Sequence, residues 1–284
     1  MGAILPDVRP PYKDFGKPIE LNSLKGRINP KFDMPDFMEK IKNFQLVLEE
    51  TSHKILFDER NKISVVPFPL SGDETIEIVV KEFFTRGFHK MKTILLPSKA
   101  QKAWWAGVAL VERNIPTPEP VAYFESVRSP YIQESFYLTV LEKEVDEIRH
   151  LFRQLPSTEL LPLIQTLARH MRLCHAKGIL HRDLSDGNIL VKTSTQKEHT
   201  FFMIDTNRIR IKKRLGRMRK IKNLTRFGVP REYQRRFLEA YSRSGGLKKW
   251  VWFWYRFSKN VYTWRIELKK KLLISRKANS RNSA

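Results

Sequence analysis

Apolar positions along this 284-residue chain change their period partway, and the change divides it into a strand-forming part and a helical part. Between residues 45 and 84 they fall into short β-branched and aromatic blocks at 45–48, 54–57, 63–68 and 75–84, the pattern of antiparallel strands. Asp58-Glu59-Arg60-Asn61 and Ser71-Gly72-Asp73 supply the turns between the last three. Ser98 and Gln101 form a capping box that opens a helix running to the vicinity of Arg113. The prolines at 116, 118 and 120 then force extended backbone, and further strands are predicted at 121–125 and 135–141. A longer helix is predicted over 157–176, where Leu160, Leu161, Ile164, Leu167, Ala168, Met171 and Cys174 share a face and Gly178 supplies the stop. Before all of these, prolines at 6, 10, 11, 18 and 30 interrupt any periodicity, so the first 35 residues read as an extended tail or lobe-wrapping arm. A short helix is expected from Pro35, capped by Asp33, with Phe37, Ile41 and Phe44 on one face. The predicted fold class is α+β. Residues 1–44 form an arm and short helix, 45–145 a small β-rich lobe, 146–245 a helical lobe, and 246–284 a basic aromatic helix and tail.

Composition agrees with a globular protein, since 41% of residues are hydrophobic. A single cysteine, Cys174, excludes an internal disulfide framework and suits a reducing compartment. Charge changes the picture more. Of the net +23, nearly all lies beyond Asp205, where 25 Lys and Arg face only Glu232, Glu239 and Glu267. So polarised a distribution points to a polyanionic surface such as anionic lipid, a phosphorylated glycolipid or nucleic acid. No secretory signal is expected, because residues 1–11 lack a basic start and a long apolar run. Pro6 stands where a myristoylated chain carries Ser or Thr. The densest apolar run, 250–255, is cut by Arg256 and is too short for a membrane span. The expected location is cytoplasmic, or bound to a membrane face from the cytosol.

The stretch that carries chemistry is His181-Arg182-Asp183-Leu184-Ser185-Asp186-Gly187-Asn188-Ile189-Leu190, followed by Phe201-Phe202-Met203-Ile204-Asp205. It reads H-R-D-L-x-x-x-N and then an apolar strand ending in Asp, and it resembles the catalytic core of protein-kinase-like phosphotransferases. Phosphoryl transfer passes through a loose transition state, so the protein must hold a hydroxyl in line, hold Mg²⁺ on the phosphates and neutralise charge. Asp183 is the expected catalytic base. Asn188 and Asp205 are the expected metal ligands, because a hard cation such as Mg²⁺ takes oxygen donors. Asp186 reads as a solvated turn residue beside Gly187, ahead of the alternative that it binds an acceptor hydroxyl.

Lys81, in Ile78-Val79-Val80-Lys81-Glu82-Phe83, closes the last strand before a helix and is the expected nucleotide-binding residue. Two customary companions are missing. The turn Asp58-Glu59-Arg60-Asn61-Lys62 has no glycine with which to build a phosphate cradle. The following helix, through Ala103-Trp104-Trp105-Ala106-Gly107, has no mid-helix glutamate for Lys81. Glu112, Glu82 and Glu119 cannot be assigned that part from sequence.

Arg113-Asn114-Ile115-Pro116-Thr117-Pro118-Glu119-Pro120-Val121-Ala122, taken with the 181–190 loop and Ile204-Asp205-Thr206-Asn207-Arg208, resembles the lipopolysaccharide core sugar kinases of the Kdo/WaaP group. Lys222-Asn223-Leu224-Thr225-Arg226 and Arg236-Phe237-Leu238-Glu239-Ala240-Tyr241 extend the resemblance. It implies a protein-kinase-like two-lobe fold and transfer of the γ-phosphate of ATP, with Mg²⁺, to a hydroxyl of Kdo or heptose on a lipid-linked core oligosaccharide. It also implies the same roles for Asp183, Asn188, Asp205 and Lys81. Ser185 and Asp205-Thr206-Asn207 depart from protein kinases, which suits an acceptor other than protein.

Leu247, Trp250, Trp254, Phe257, Val261, Trp264 and Leu268 recur at helical spacing among Lys248, Lys249, Lys259, Lys269 and Lys270. Such a helix either packs its aromatics into the large lobe or rests on anionic lipid. The basic run 212–222 is expected to meet acidic groups of the acceptor. Two alternatives remain. One is a pseudoenzyme adaptor, suggested by the missing glycines and glutamate; the other is a nucleic-acid-binding protein, for which charge is the only support.

Overall fold

The computed structural model describes residues 11–21, 23–43, 54–58, 62–70, 74–85, 93–128, 131–242 and 246–281. The strand expected at 45–48, Phe44 and the turn residues at 59–61 and 71–73 lie outside them. The chain divides into two compact units, one of Met1–Val145 with Phe202–Ile209 and the other of Asp146–Phe201 with Arg210–Ala284.

The first unit is built on an antiparallel seven-stranded sheet. Its strands are β1 (Lys17–Leu21), β2 (Leu24–Ile28), β3 (Lys54–Asp58), β4 (Lys62–Pro69), β5 (Thr75–Phe84), β6 (Pro120–Arg128) and β7 (Tyr131–Val140). They lie in the order β1-β2-β6-β7-β5-β4-β3. The proline-rich arm therefore differs from the expectation: residues 17–28 form a hairpin that extends the sheet, with Gly26 opposite Phe124. A β-carbon at Gly26 would run into the Tyr123 carbonyl, so only glycine allows β2 to lie this close to β6.

Strand parity gives the sheet two faces. Ile78 and Val80 of β5 pack with Phe68, Phe124 and Leu138 under α1 (Pro35–Lys42), which contributes Phe37 and Ile41. Asp33 does not cap α1. Met34 holds that position, and Asp33 pairs instead with Lys17 at 2.7 Å. Lys81 and Phe83 point to the opposite face, where Phe83 and Tyr137 pack against Ala100, Ala103 and Trp104 of α2 (Lys99–Glu112). Ser98 Oγ caps α2 by accepting from Gln101 N at 3.0 Å, and the Gln101 side chain turns to the Tyr123 hydroxyl. The 11–16 segment straps the outer side of α2. Trp105 Nε1 donates to the Lys13 carbonyl, and the Phe15 ring meets Trp104.

The second unit holds β8 (Asp146–Glu147), α3 (Ile148–Gln154), α4 (Ser157–Ala176), β9 (Ile179–His181), β10 (Ile189–Thr193), most of β11 (His199–Met203) and part of β12 (Ile209–Ile211). It continues with α5 (Arg217–Leu224), α6 (Gln234–Tyr241) and α7 (Lys249–Arg281). The α4 helix begins and ends where the apolar spacing predicts. Leu163, Ile164, Leu167, Ala168, Met171 and Cys174 are buried along it, and Gly178 takes the positive φ of 77° that ends it. Burial holds His170 and His175 on the same helix neutral, with pKa lowered to about 4.

The last helix settles one of the sequence alternatives. Of α7's residues, Tyr255 is buried and Lys259 donates to the Phe227 carbonyl. Phe253 and Trp264 instead are 62% and 61% exposed. Trp250, Trp254 and Phe257 are exposed on the same side, with Phe253, Trp254 and Phe257 in mutual ring contact. The aromatic stripe is therefore not the face by which α7 packs.

Candidate active site

In the first unit, Lys81 and Asp205 are brought together. Strand β5 aims Lys81 Nζ at Asp205 Oδ1, 2.5 Å away, with both side chains about one-fifth exposed at 19% and 21%. None of the three glutamates weighed from sequence takes this place. Glu82 lies on the other face of β5 beside Lys62, Glu119 pairs with Lys31, and Glu112 lies next to Arg113. Lys81 thus pairs with the carboxylate expected to bind metal, so helix α2 has no need of a glutamate.

Asp205 has a left-handed backbone, with φ 54° and ψ 45°, a conformation that costs a non-glycine residue roughly 1 kcal/mol. Buried hydrogen bonds on both sides hold it there. Before it, Met203 N donates to the Pro116 carbonyl at 3.0 Å, and Thr117 Oγ1 donates to the Met203 carbonyl at 2.8 Å. After it, Thr206 Oγ1 donates to the Ala103 carbonyl in the middle of α2, at 3.0 Å. The Tyr137 phenol points to the same place. Burial raises its pKa and Thr206 draws it partly back, although the hydroxyl makes no hydrogen bond of normal geometry among the described residues. A methyl group at Gly107 would strike that hydroxyl, so glycine permits the close approach. In D-F-G kinases the residue after the aspartate is aromatic. Here it is a threonine that fastens the Asp205 turn to the helix, a role the sequence does not reveal because its partner is a backbone carbonyl.

In the second unit, Asp183 and Asn188 are brought together. Asn188 Nδ2 donates to the Asp183 carbonyl at 2.7 Å, and Ser185 N donates to the same carbonyl at 2.8 Å. With its nitrogen so engaged, Asn188 has Oδ1 as the atom available to a cation. The Asp183 carboxylate accepts from Arg226 Nη1 through Oδ1 at 3.2 Å and is half-exposed. Arg226 in turn lies over the Tyr262 ring of α7, 5.6 Å from its centroid. The loop's entry is anchored by a buried relay. Tyr241 Oη lies 2.8 Å from His175 Nδ1, His175 Nε2 lies 3.0 Å from Asn223 Oδ1, and Asn223 Nδ2 donates to the His181 carbonyl at 2.7 Å. Because Asn223 donates through Nδ2, His175 must carry its proton on Nε2, and Tyr241 donates to Nδ1.

Asp186 corrects the sequence reading. It is not a solvated turn residue: its Oδ1 accepts from Gly228 N at 2.6 Å. Burial raises its pKa, against that bond and the charges of Lys259, Arg149 and Arg153. A β-carbon at Gly228 would meet the carboxylate, so Asp186 clasps the segment that carries Arg226.

Asp205 in the first unit offers a carboxylate and Asn188 in the second an amide oxygen, each of the donor type that Mg²⁺ takes. Among the described residues, no group of three His, Cys, Asp or Glu side chains gathers that could hold a metal ion of any kind.

The sequence profile of the Lipopolysaccharide kinase (Kdo/WaaP) family matches residues 90–241, more than half of the chain. The chain belongs to that family. Among solved structures it is similar to the one titled "WaaP in complex with acyl carrier protein", at 20% identity and a TM-score of 0.53, covering 81% of this chain and 92% of that chain. It also aligns with "Structure of the Cydia pomonella Granulovirus kinase, PK-1" at 17% identity and a TM-score of 0.37, covering 61% of this chain and 57% of that one. No curated protein matches it. The fold is α+β and protein-kinase-like, as the 181–205 motif implies. As a member of a kinase family the chain is a phosphotransferase of the lipopolysaccharide core, and the family implies ATP as donor with a divalent metal.

The threonine bracket can be tested directly. Thr206→Val keeps the shape and removes the donor to the Ala103 carbonyl, with an expected loss of about 1–3 kcal/mol in chemical denaturation. Thr206→Ser should restore most of it. Equal stability of wild type and Thr206→Val would contradict the bracket.

Proposed function

We propose that this chain is an ATP- and Mg²⁺-dependent kinase that phosphorylates a hydroxyl of Kdo or heptose in the lipopolysaccharide inner core. The observation that carries this reading is the state of Asp183. Its Oδ1 is held by Arg226 and its backbone is clasped by Asn188 and Ser185, while the carboxylate keeps a second oxygen, Oδ2, for an acceptor hydroxyl. In the reaction Asp183 takes the hydroxyl proton as the acceptor oxygen bonds to the γ-phosphorus and the bond to the departing ADP breaks. Lys81 binds nucleotide phosphate. Asn188 and Asp205 would hold the metal, which would neutralise charge on the phosphates. Lys81 already lies against Asp205, so its ammonium needs little movement to exchange a carboxylate oxygen for a phosphate oxygen.

The acceptor is lipid-linked, and the exposed face of α7 suits a protein that works at an anionic membrane. Trp250, Phe253, Trp254, Phe257 and Trp264 face outward beside exposed Lys248, Lys249, Arg265 and Lys271. Tryptophan prefers the headgroup region, and each nearby Lys or Arg adds about 1 kcal/mol of attraction to anionic lipid. No helix among the described residues is long and apolar enough to cross a membrane; the attachment proposed from the α7 face is peripheral, on the cytoplasmic face of the inner membrane.

Incubation with γ-labelled ATP, Mg²⁺ and purified core oligosaccharide should place label on the sugar. Asp183→Asn should lower turnover by roughly 10²- to 10⁴-fold while MgATP affinity stays near that of wild type. No label on any core sugar would refute the assignment, and undiminished turnover would refute the base. In vesicle flotation the protein should rise with anionic vesicles at low salt, and a Trp250, Trp254 and Phe257 triple-alanine variant should stay behind. Equal flotation of the variant would exclude the aromatic face as the attachment.

A further inference from the structure

Phe83, at the end of β5, is buried, with its ring flanked by two ammonium groups. Lys81 Nζ lies 5.4 Å and Lys99 Nζ 5.7 Å from the ring centroid. A third cation, Arg208, ends the short helical turn Thr206–Arg208 that starts directly after Asp205. Both Lys81 and Arg208 bear on Lys99. Lys99 has its pKa lowered by burial first and by Arg208 and Lys81 next, with Asp205 opposing. Asp205 is the only carboxylate acting on Lys99 among the described residues, and it is paired with Lys81. Neither Lys99 nor Arg208 has a salt bridge among the described residues; both residues are exposed overall, Lys99 with its ammonium tucked beside the Phe83 ring. Three positive groups thus share one negative one, in the first unit alone.

Such a surplus is electrostatically unfavourable until an anion enters, and its one carboxylate belongs to the residue expected to bear the metal of a metal–nucleotide complex. The same chain lacks glycine in the turn between β3 and β4, where backbone amides would otherwise cover phosphates. We propose that Lys99 and Arg208 are phosphate-binding residues. With Lys81 they form a three-cation cluster that takes the β- and γ-phosphates of a nucleoside triphosphate, so that side chains replace the absent backbone cradle. This rests on the kinase reading above. Recognition by side-chain charge differs from a cradle in its consequences: affinity depends steeply on salt and on the number of phosphates, and adenosine gains nothing from it.

Calorimetric titration of the full chain with MgATP, MgADP and adenosine tests this without any turnover. Lys99→Gln and Arg208→Gln should each weaken MgATP binding by about tenfold or more, the loss of one charge-assisted hydrogen bond. MgADP should lose less, and adenosine affinity should not change. Lys99→Arg should keep its affinity for MgATP, and melting temperatures should stay close to wild type because neither residue makes a salt bridge among the described residues. MgATP affinity within about twofold of wild type in both Gln variants would show that these are solvated surface cations and overturn the proposal. Equal losses for MgATP and adenosine would assign the residues to structure and overturn it as well. A wild-type protein that binds adenosine and MgATP alike fails this proposal alone, whereas one that binds no nucleotide fails the kinase reading on which it rests.

Discussion

The ion pair between Lys81 and Asp205 is the interaction around which the first unit's site is arranged. Both groups are largely withdrawn from water, and a charge so placed is tolerated only with its partner present; removing one partner of a buried pair costs roughly 3–5 kcal/mol. The surrounding structure fixes the geometry that makes the pair possible. Strand parity sends Lys81 to the α2 face of the sheet, in company with Phe83. On the other side, Thr117 and Thr206 hold the chain before and after Asp205 in a backbone conformation it would not otherwise adopt. Helix α2 enters this arrangement through a backbone carbonyl instead of a side-chain carboxylate. The protein-kinase habit of joining strand lysine to helix glutamate is replaced by two links in series, lysine to aspartate and threonine to helix.

A comparable logic governs the second unit. Asp183 is positioned by contacts that converge from three helices: the His175 relay from α4, Asn223 from α5 and Arg226 seated on Tyr262 of α7. The C-terminal helix therefore has two faces with different tasks. Its inner face supports the segment carrying Arg226 and Gly228, and its outer face carries the tryptophans. Attachment of the outer face to lipid would bear on the catalytic loop through Tyr262 and Lys259.

Much of this was legible in the sequence. The 157–176 helix and the 75–84 strand are found at those bounds because apolar spacing and end signals agree there. The spacing of Asp183, Asn188 and Asp205 points to a protein-kinase-like fold on residue type alone, and the 113–122 and 204–208 segments beside it carry the resemblance to the family. What escaped has a common character. The β1–β2 hairpin is short and contains Pro18 and Gly26, so local composition argues against a strand that only pairing with β6 stabilises. Thr206, Asp186 and Asn223 act on backbone groups brought near by tertiary structure, and such partners leave no trace in spacing. The missing helix glutamate was readable, but its replacement was not.

The claim underneath all of this is that Asp205, held beside Lys81, is where a metal–nucleotide complex binds. Electron paramagnetic resonance of Mn²⁺, titrated into protein with a non-hydrolysable ATP analogue, examines that point most directly. The account predicts a bound-metal signal that requires the nucleotide and is lost in Asp205→Asn. Full metal uptake by that variant would contradict it.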